Sequence, residues 1–167
     1  MFLKDQELIN ALNEQINKEF YSAYLYLSMA AYADFMGLSG FASWLEKQAK
    51  EELEHGMKIY KYLQDRDARV ALDAVEKPKA EWSSIVEAFE DALEHEFKVT
   101  ESINKLMDLA VQKKEYATIS FLQWFIDEQV EEEKSFKEIL DILKSADNLQ
   151  RVVSQLDREL AKREKGG

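Results

Sequence analysis

The stretch Glu51-Glu52-Leu53-Glu54-His55 lies in the middle of a long amphipathic helical pattern. Residues at spacings of three and four share one face of this helix, which comprises Phe41, Leu45, Gln48, Glu52, His55, Ile59 and Tyr62. A buried helix face is normally apolar, yet the centre of this one holds an amide, an acid and an imidazole. A Glu and a His three residues apart can bind one metal ion together, whereas burying them without a partner would be strongly unfavourable.

Composition restricts the class of protein. The 167 residues are enough for one domain with a core, and the single Pro and five Gly favour helix over sheet. The net charge of −11 argues against nucleic-acid binding, and the lack of cysteine excludes disulfides, zinc–thiolate sites and iron–sulfur clusters. No signal peptide and no membrane-spanning run is recognisable, so a cytoplasmic protein without a membrane partner is expected.

The periodicity predicts an all-α fold with four long helices and a short fifth. The predicted ranges are about 5–35, 39–64, 84–112, 115–144 and 147–162, within a single domain covering 1–167. Between 65 and 82 the periodicity fails and Pro78 prevents helix, so this link is expected to cross the length of the bundle. The third helix then runs parallel to the second, and the tail from Lys162 onward is expected to fray.

Several residues mark the predicted helix ends. Gly37 suits the left-handed residue after the first helix, and Ser39 is expected to cap the second. A capping box is expected from Ser84 to Glu87, and Asp147 is expected to cap the fifth helix. Gly56, inside the second helix, either permits a close helix approach or has no packing role.

Each long helix has one polar break in its apolar face, near its midpoint. The breaks are Glu19, then Glu52 with His55, then Glu96, and finally Gln129 with Glu132. In a bundle of equal helices the midpoints meet, so the breaks form one cluster with four carboxylates in the core. Four buried like charges repel, and two divalent cations would neutralise them. This layout is that of the four-helix dimetal carboxylate proteins.

The chain resembles the non-haem ferritins of bacteria and archaea along essentially its whole length. The resemblance is carried by Asn13-Glu14-Gln15, Glu19-Phe20-Tyr21-Ser22, Glu51-Glu52 with His55, His95-Glu96, Phe121-Leu122-Gln123-Trp124 and Glu128-Gln129-Val130-Glu131-Glu132. It implies a ferritin-like four-helix bundle with one long crossover and a short C-terminal helix. It also implies a homo-oligomeric hollow shell of 24 subunits.

The resemblance implies a role for each site residue. Glu19, Glu52 and His55 would bind one iron ion, and Glu52 would bridge to a second. The second would be held by Glu96 and Glu132, with Gln129 close by. A third, more exposed site would be formed by Glu51, Glu128 and Glu131. Tyr26 would lie near the diiron pair, where it either supplies an electron or packs.

The function implied is iron storage with ferroxidase activity. Two Fe(II) ions per subunit would be oxidised by dioxygen, and ferric oxyhydroxide would be stored in the cage. Haem is not expected, because Leu53 stands where bacterioferritins carry their haem-binding methionine. Two alternatives stay open: a diiron oxidase or oxygenase acting on an organic substrate, and a structural bundle whose polar core only fixes helix register.

Overall fold

The computed structural model describes residues 2–163, which form five α-helices and no strand. The helices are α1 (Gln6–Phe35), α2 (Ser39–Asp65), α3 (Ile85–Gln112), α4 (Tyr116–Lys144) and α5 (Leu149–Leu160). The first four form the bundle, and α5 packs on α2 and α4. The expected all-α bundle with a crossover and a short fifth helix is confirmed. None of the described helices is long and apolar enough to cross a membrane.

The link between α2 and α3 crosses the bundle along α1. The Asn13 side chain donates to the carbonyl of Arg69 at 3.0 Å, and the Ser28 hydroxyl donates to the carbonyl of Lys79 at 2.7 Å. The link therefore runs in the same direction as α1 and delivers the chain to the far end of the bundle. As a result α3 returns antiparallel to α1 and lies parallel to α2, as expected from the length of the link.

The helix ends confirm some predictions and correct others. Gly37 has a φ of +80° after α1, in the left-handed region. Ser84 caps α3 by accepting from the Glu87 N–H at 3.2 Å, but the Glu87 carboxylate bonds to Ser83 instead of returning to Ser84. Asn148 caps α5 with its side chain, so the prediction that Asp147 caps this helix is wrong.

Ser39 does not cap α2, which contradicts the prediction. The helix already begins at this residue, and the cap position belongs to Leu38, which makes no side-chain capping bond and packs against the core. The N–H of Phe41 in the first turn is satisfied instead by the Asp157 carboxylate of α5, at 2.9 Å. A residue distant in sequence therefore supplies the capping bond.

The core consists of two apolar clusters with a polar layer between them. In α1 one cluster includes Ile16 and the other begins at Leu25. In α2 the gap between the two clusters lies between Ala49 and Ile59. The same division occurs in α3 and α4. The polar break of each helix falls in this gap, so the packing brings the four midpoints to one level.

Arg163 ends the described chain and is not frayed. Its side chain is only 8% exposed, because it packs against α2. The expected fraying therefore does not extend to Arg163. Lys162 is exposed, but its N–H donates to the carbonyl of Glu159, and 164–167 lie outside the described residues.

Candidate metal centre

The polar layer contains one acid from each long helix and one imidazole. Glu19, Glu52 and Glu96 have no exposed surface, and Glu132 and His55 are 4% and 5% exposed. Their helices place them there because each acid follows the same three-and-four spacing as the apolar residues above and below it. The four acids predicted from the sequence therefore lie together in the core.

Their ligand atoms form two adjacent groups that share one residue. Glu19, Glu52 and His55 each place one ligand atom within 4.8 Å of the others, and so do Glu52, Glu96 and Glu132. Glu52 belongs to both groups, so its two carboxylate oxygens can serve two neighbouring cations. The geometry therefore suits a pair of metal ions bridged by one carboxylate.

Two glutamines orient the carboxylates. Gln15 donates to Glu19 at 3.3 Å, and Gln48 donates to Glu52 at 3.0 Å. The Nε2 of Gln48 also donates to Glu132, across the bundle. These roles of Gln15 and Gln48 were not predicted from the sequence. The signal was present, because each glutamine lies four residues before its acid and so shares its helix face.

Among residues 2–163, three buried carboxylate oxygens accept no hydrogen bond: Oε2 of Glu19, Oε1 of Glu96, and Oε2 of Glu52, which lies 3.2 Å from Nδ1 of His55. The other oxygen of Glu96 accepts from the Tyr26 hydroxyl at 2.9 Å. Buried polar atoms normally have partners, so three orphan acceptors in one layer require a cation or protons. Carboxylate and imidazole ligands are compatible with Fe(II), although Zn(II) would compete.

Burial raises the pKa of all four carboxyl groups. For Glu52 and Glu132 the charges of the neighbouring acids add to burial, so their pKa values lie well above the usual range. Burial raises the pKa of Glu19, although His55 opposes the shift, and raises that of Glu96 to about 7. The metal-free cluster therefore retains protons near neutral pH, and a cation that binds there must displace them.

The three residues expected in the outer site are not equally placed. Glu128 is half-buried and shares a group of ligand atoms with His55 and Glu132. Glu51 lies beside the cluster but is paired with Arg163 at 2.9 Å. Glu131 is exposed and belongs to none of the ligand groups found among residues 2–163.

Two further residues lie next to the cluster. Gln129 is buried, and its amide donates to the Thr100 hydroxyl at 3.0 Å and to the carbonyl of Glu96 at 3.4 Å. His95 belongs to none of the ligand groups found among residues 2–163 and contacts the Ser22 hydroxyl at 2.7 Å, while burial lowers the pKa of its imidazole to about 4. Gln129 therefore lies beside Glu96, and its amide donates to the backbone of this acid and to Thr100.

Gly56 allows α1 and α2 to approach closely beside the acids. A Cβ at this position would lie 2.7 Å from Cδ1 of Phe20 and 3.4 Å from Cβ of Glu19. The first distance is far inside van der Waals contact. The packing role that the sequence left open is therefore a close approach of the two helices.

Comparison with known proteins gives one consistent family. The ferritin-like domain matches residues 9–146. The chain is 48% identical over 159 residues to a bacterial non-heme ferritin of Staphylococcus saprophyticus, covering 95% of each chain. It is 49% identical over 138 residues to a bacterial non-heme ferritin of Staphylococcus aureus, covering 83% of each.

Solved structures agree. An open pore ferritin from the hyperthermophilic archaeon Archaeoglobus fulgidus superposes with a TM-score of 0.95 at 47% identity, covering 97% of this chain and all of that one. A humanized archaeal ferritin superposes with a TM-score of 0.96 at 44% identity, covering 99% of this chain. The resemblance drawn from the sequence motifs is confirmed, and the chain belongs to the ferritin family, among the non-haem bacterial and archaeal ferritins.

Proposed function

We propose that this chain stores iron: it binds Fe(II) in the bundle, oxidises it with dioxygen, and retains the product as ferric oxyhydroxide inside a self-assembled cage. The relatives named above are ferritins, and they match this chain over nearly its whole length. The proposal treats residues 1–167 as one domain, because α5 packs on the same bundle that the family match covers. A cytoplasmic location stays a prediction.

The observation that carries the proposal is the pair of ligand groups sharing Glu52. We assign the first iron position to Glu19, Glu52 and His55, and the second to Glu52, Glu96 and Glu132. One bridging and three terminal carboxylates balance the charge of two Fe(II) ions. The specific ferroxidase assignment and the count of two irons per subunit are part of this proposal.

The residues around the cluster each have a task. The two apolar clusters exclude water from the layer, which strengthens the electrostatic attraction between carboxylates and cations. The Tyr26 hydroxyl holds one oxygen of Glu96 and leaves the other free for a cation. Protons held by the acids leave when Fe(II) binds, and dioxygen then takes one electron from each ferrous ion.

We assign a third, outer iron position to Glu51, Glu128 and Glu131. Glu128 supports it most directly, because its carboxylate lies near His55 and Glu132. The exposure of Glu131 suits a site through which product leaves the bundle. Such a site would bind iron more weakly than the buried pair, since fewer of its ligands are desolvated.

Storage requires assembly, which we propose involves 24 copies of the chain. An apolar groove of about 660 Å³ between α1 and α2 is lined by half-exposed residues including Tyr24, Leu27 and Leu53. Exposed apolar surface of this kind favours association with a second copy. The charge of −11 per chain opposes it at low salt, so assembly is expected to depend on ionic strength or on iron.

The two alternatives have less support. An oxidase acting on an organic substrate needs an apolar pocket beside the metal ions, and none of the residues lining the groove between α1 and α2 belongs to the acidic cluster. A purely structural polar core would bind no metal. The three orphan carboxylate oxygens argue against it, because a core used only for register is stable when its polar atoms are paired.

The test is aerobic iron uptake by metal-free protein. Fe(II) is added in air, the initial oxidation rate is recorded, and protein-bound iron is measured after size exclusion. Far more than three irons per subunit, in a large particle, is expected. Removing a group that only supports a metal ligand typically costs at least about tenfold in activity. Because Glu52 is assigned as a ligand itself, Glu52→Gln should slow oxidation by at least this factor.

Glu101→Gln makes the same chemical change at an exposed position on α3, where Glu101 pairs with Lys105 one turn away. Its oxidation rate should equal that of the wild type. An unchanged rate in Glu52→Gln would refute the bridging role. A few irons per subunit without a large particle would refute storage but leave the metal pair, and no bound iron would favour the structural bundle.

A further inference from the structure

The side chain of Arg163 inserts against α2 just beyond the end of α5. Its guanidinium donates to the carbonyl of Trp44 at 3.0 Å and to the Glu51 carboxylate at 2.9 Å. It also stacks over the Trp44 ring, with its central carbon 4.5 Å from the ring centroid. The positive charge of Arg163 is therefore paired with Glu51, a carboxylate that is assigned to the outer iron position.

The guanidinium also reaches the inner acids through one amide. Its Nη2 donates to Oε1 of Gln48 at 3.2 Å, and Nε2 of Gln48 donates to Glu52 and Glu132. Arginine can only donate hydrogen bonds, so this contact requires the oxygen of the amide to face Arg163 and its nitrogen to face the acids. Arg163 therefore fixes the orientation of Gln48 in the metal-free protein.

The contact is incomplete, which makes it displaceable. Within the described chain, the buried Nε of Arg163 has no acceptor. A buried guanidinium with an unpaired donor is less stable than one with all donors satisfied. A divalent cation at Glu51 would carry twice the charge of the guanidinium, and Arg163 displaced into water could donate its Nε–H to a water molecule.

We propose that Arg163 is an internal counter-cation that competes with metal ions for Glu51, so that the outer position fills only when the end of α5 leaves α2. The inference rests on the proposed metal centre. It sets an order of filling in which the inner pair binds first. Because linkage is reciprocal, an ion in the outer position weakens the docking of Arg163 by the same factor by which docking weakens that ion's binding.

The test uses Zn(II), a redox-inert ion, and calorimetric titration of the metal-free, full-length protein. Arg163→Gln removes the charge, while Arg158→Gln makes the same change on α5, where Arg158 is exposed and donates to the exposed Ser154. In Arg163→Gln the weakest Zn(II) step should tighten about tenfold, the scale of a lost charge-assisted hydrogen bond. The control should match the wild type, and Glu51→Gln should lose that step.

Hydrogen exchange gives a readout independent of affinity. Excess Zn(II) should speed exchange of the amides at 161–163 in the wild type, where they donate to carbonyls in the last turn of α5. In Arg163→Gln these amides should exchange rapidly with or without Zn(II). Equal weakest-step affinities in the wild type and Arg163→Gln, or exchange unaffected by Zn(II), would overturn the role of Arg163 and leave the inner pair intact. A wild type that binds no Zn(II) would overturn both proposals.

Discussion

Replacing Gly40 with alanine should detach α5 from the bundle. A Cβ at Gly40 would lie 2.7 Å from the carbonyl carbon of Asp157 and closer still to its oxygen. Carbon atoms in good contact are about 3.5–4.0 Å apart. The obstacle is backbone, so no side-chain rotation relieves the overlap, and α5 must move away from α2.

The size of the effect is limited by what α5 gains from docking. Its principal buried residue is Leu156, 5% exposed, whose burial contributes about 1.5–3 kcal/mol. The bond from the Phe41 N–H to the Asp157 carboxylate adds about 1.5 kcal/mol. Alanine returns at most about 1 kcal/mol of helix propensity within α2. For the contacts made by residues 149–160 the net loss is therefore about 3 kcal/mol, which is roughly a 100-fold change in their docking equilibrium.

The measurement is hydrogen exchange of a peptide covering 149–160, with the peptides of α1 to α4 as internal reference. Protection of α5 should fall about 100-fold in Gly40→Ala, while the long helices change little. Ser39→Ala is the matched control, because the Ser39 side chain is exposed and makes no capping bond. Unchanged α5 protection in Gly40→Ala would refute the reasoning. A loss of about 1 kcal/mol in Ser39→Ala would show that Ser39 caps α2 after all.

Three further predictions concern the metal-free centre. Gly56→Val should lower the free energy of unfolding by about 2 kcal/mol in denaturant titration, since the added carbon overlaps the Phe20 ring; an equal midpoint would contradict this. Burial raises the folded-state pKa of Glu96 to about 7, so the folded protein holds the Glu96 proton more tightly than the unfolded chain does. The resulting stabilisation is fully present below about pH 4.5 and is lost as the pH rises through 7. Relative to Glu96→Gln, the wild type should therefore lose about 3 kcal/mol between these pH values, and a pH-independent difference would contradict the shift. Tyr26→Phe should keep the inner Zn(II) stoichiometry but destabilise the protein by about 1–3 kcal/mol, because Glu96 loses its donor; calorimetry and denaturation measure the two effects.

Most of the fold could be predicted from the sequence, because each helix depends on the spacing of residues that are close together along the chain. The three-and-four spacing of apolar residues predicts each long helix, and a single acid near each midpoint predicts which level of the core is polar. Glu19, Glu52, Glu96 and Glu132 lie together because they occupy buried positions of equal height on packed helices. The supporting glutamines each lie four residues before their acid, so the same spacing places them on the buried faces, although it does not predict which acids they contact.

The remaining features depend on contacts between residues that no periodicity relates. Asp157 caps the first turn of α2 from 116 positions away, and this bond makes a capping role for Ser39 unnecessary. Arg163 reaches Glu51 across 112 positions, from beyond the last apolar residue of the fifth helical pattern. Helical spacing records which residues share a face, but not which turn of one helix meets another. The clustering of the four acids could therefore be predicted from the sequence alone. The docking of α5, and with it the position of Arg163 beside Glu51, depends on tertiary packing.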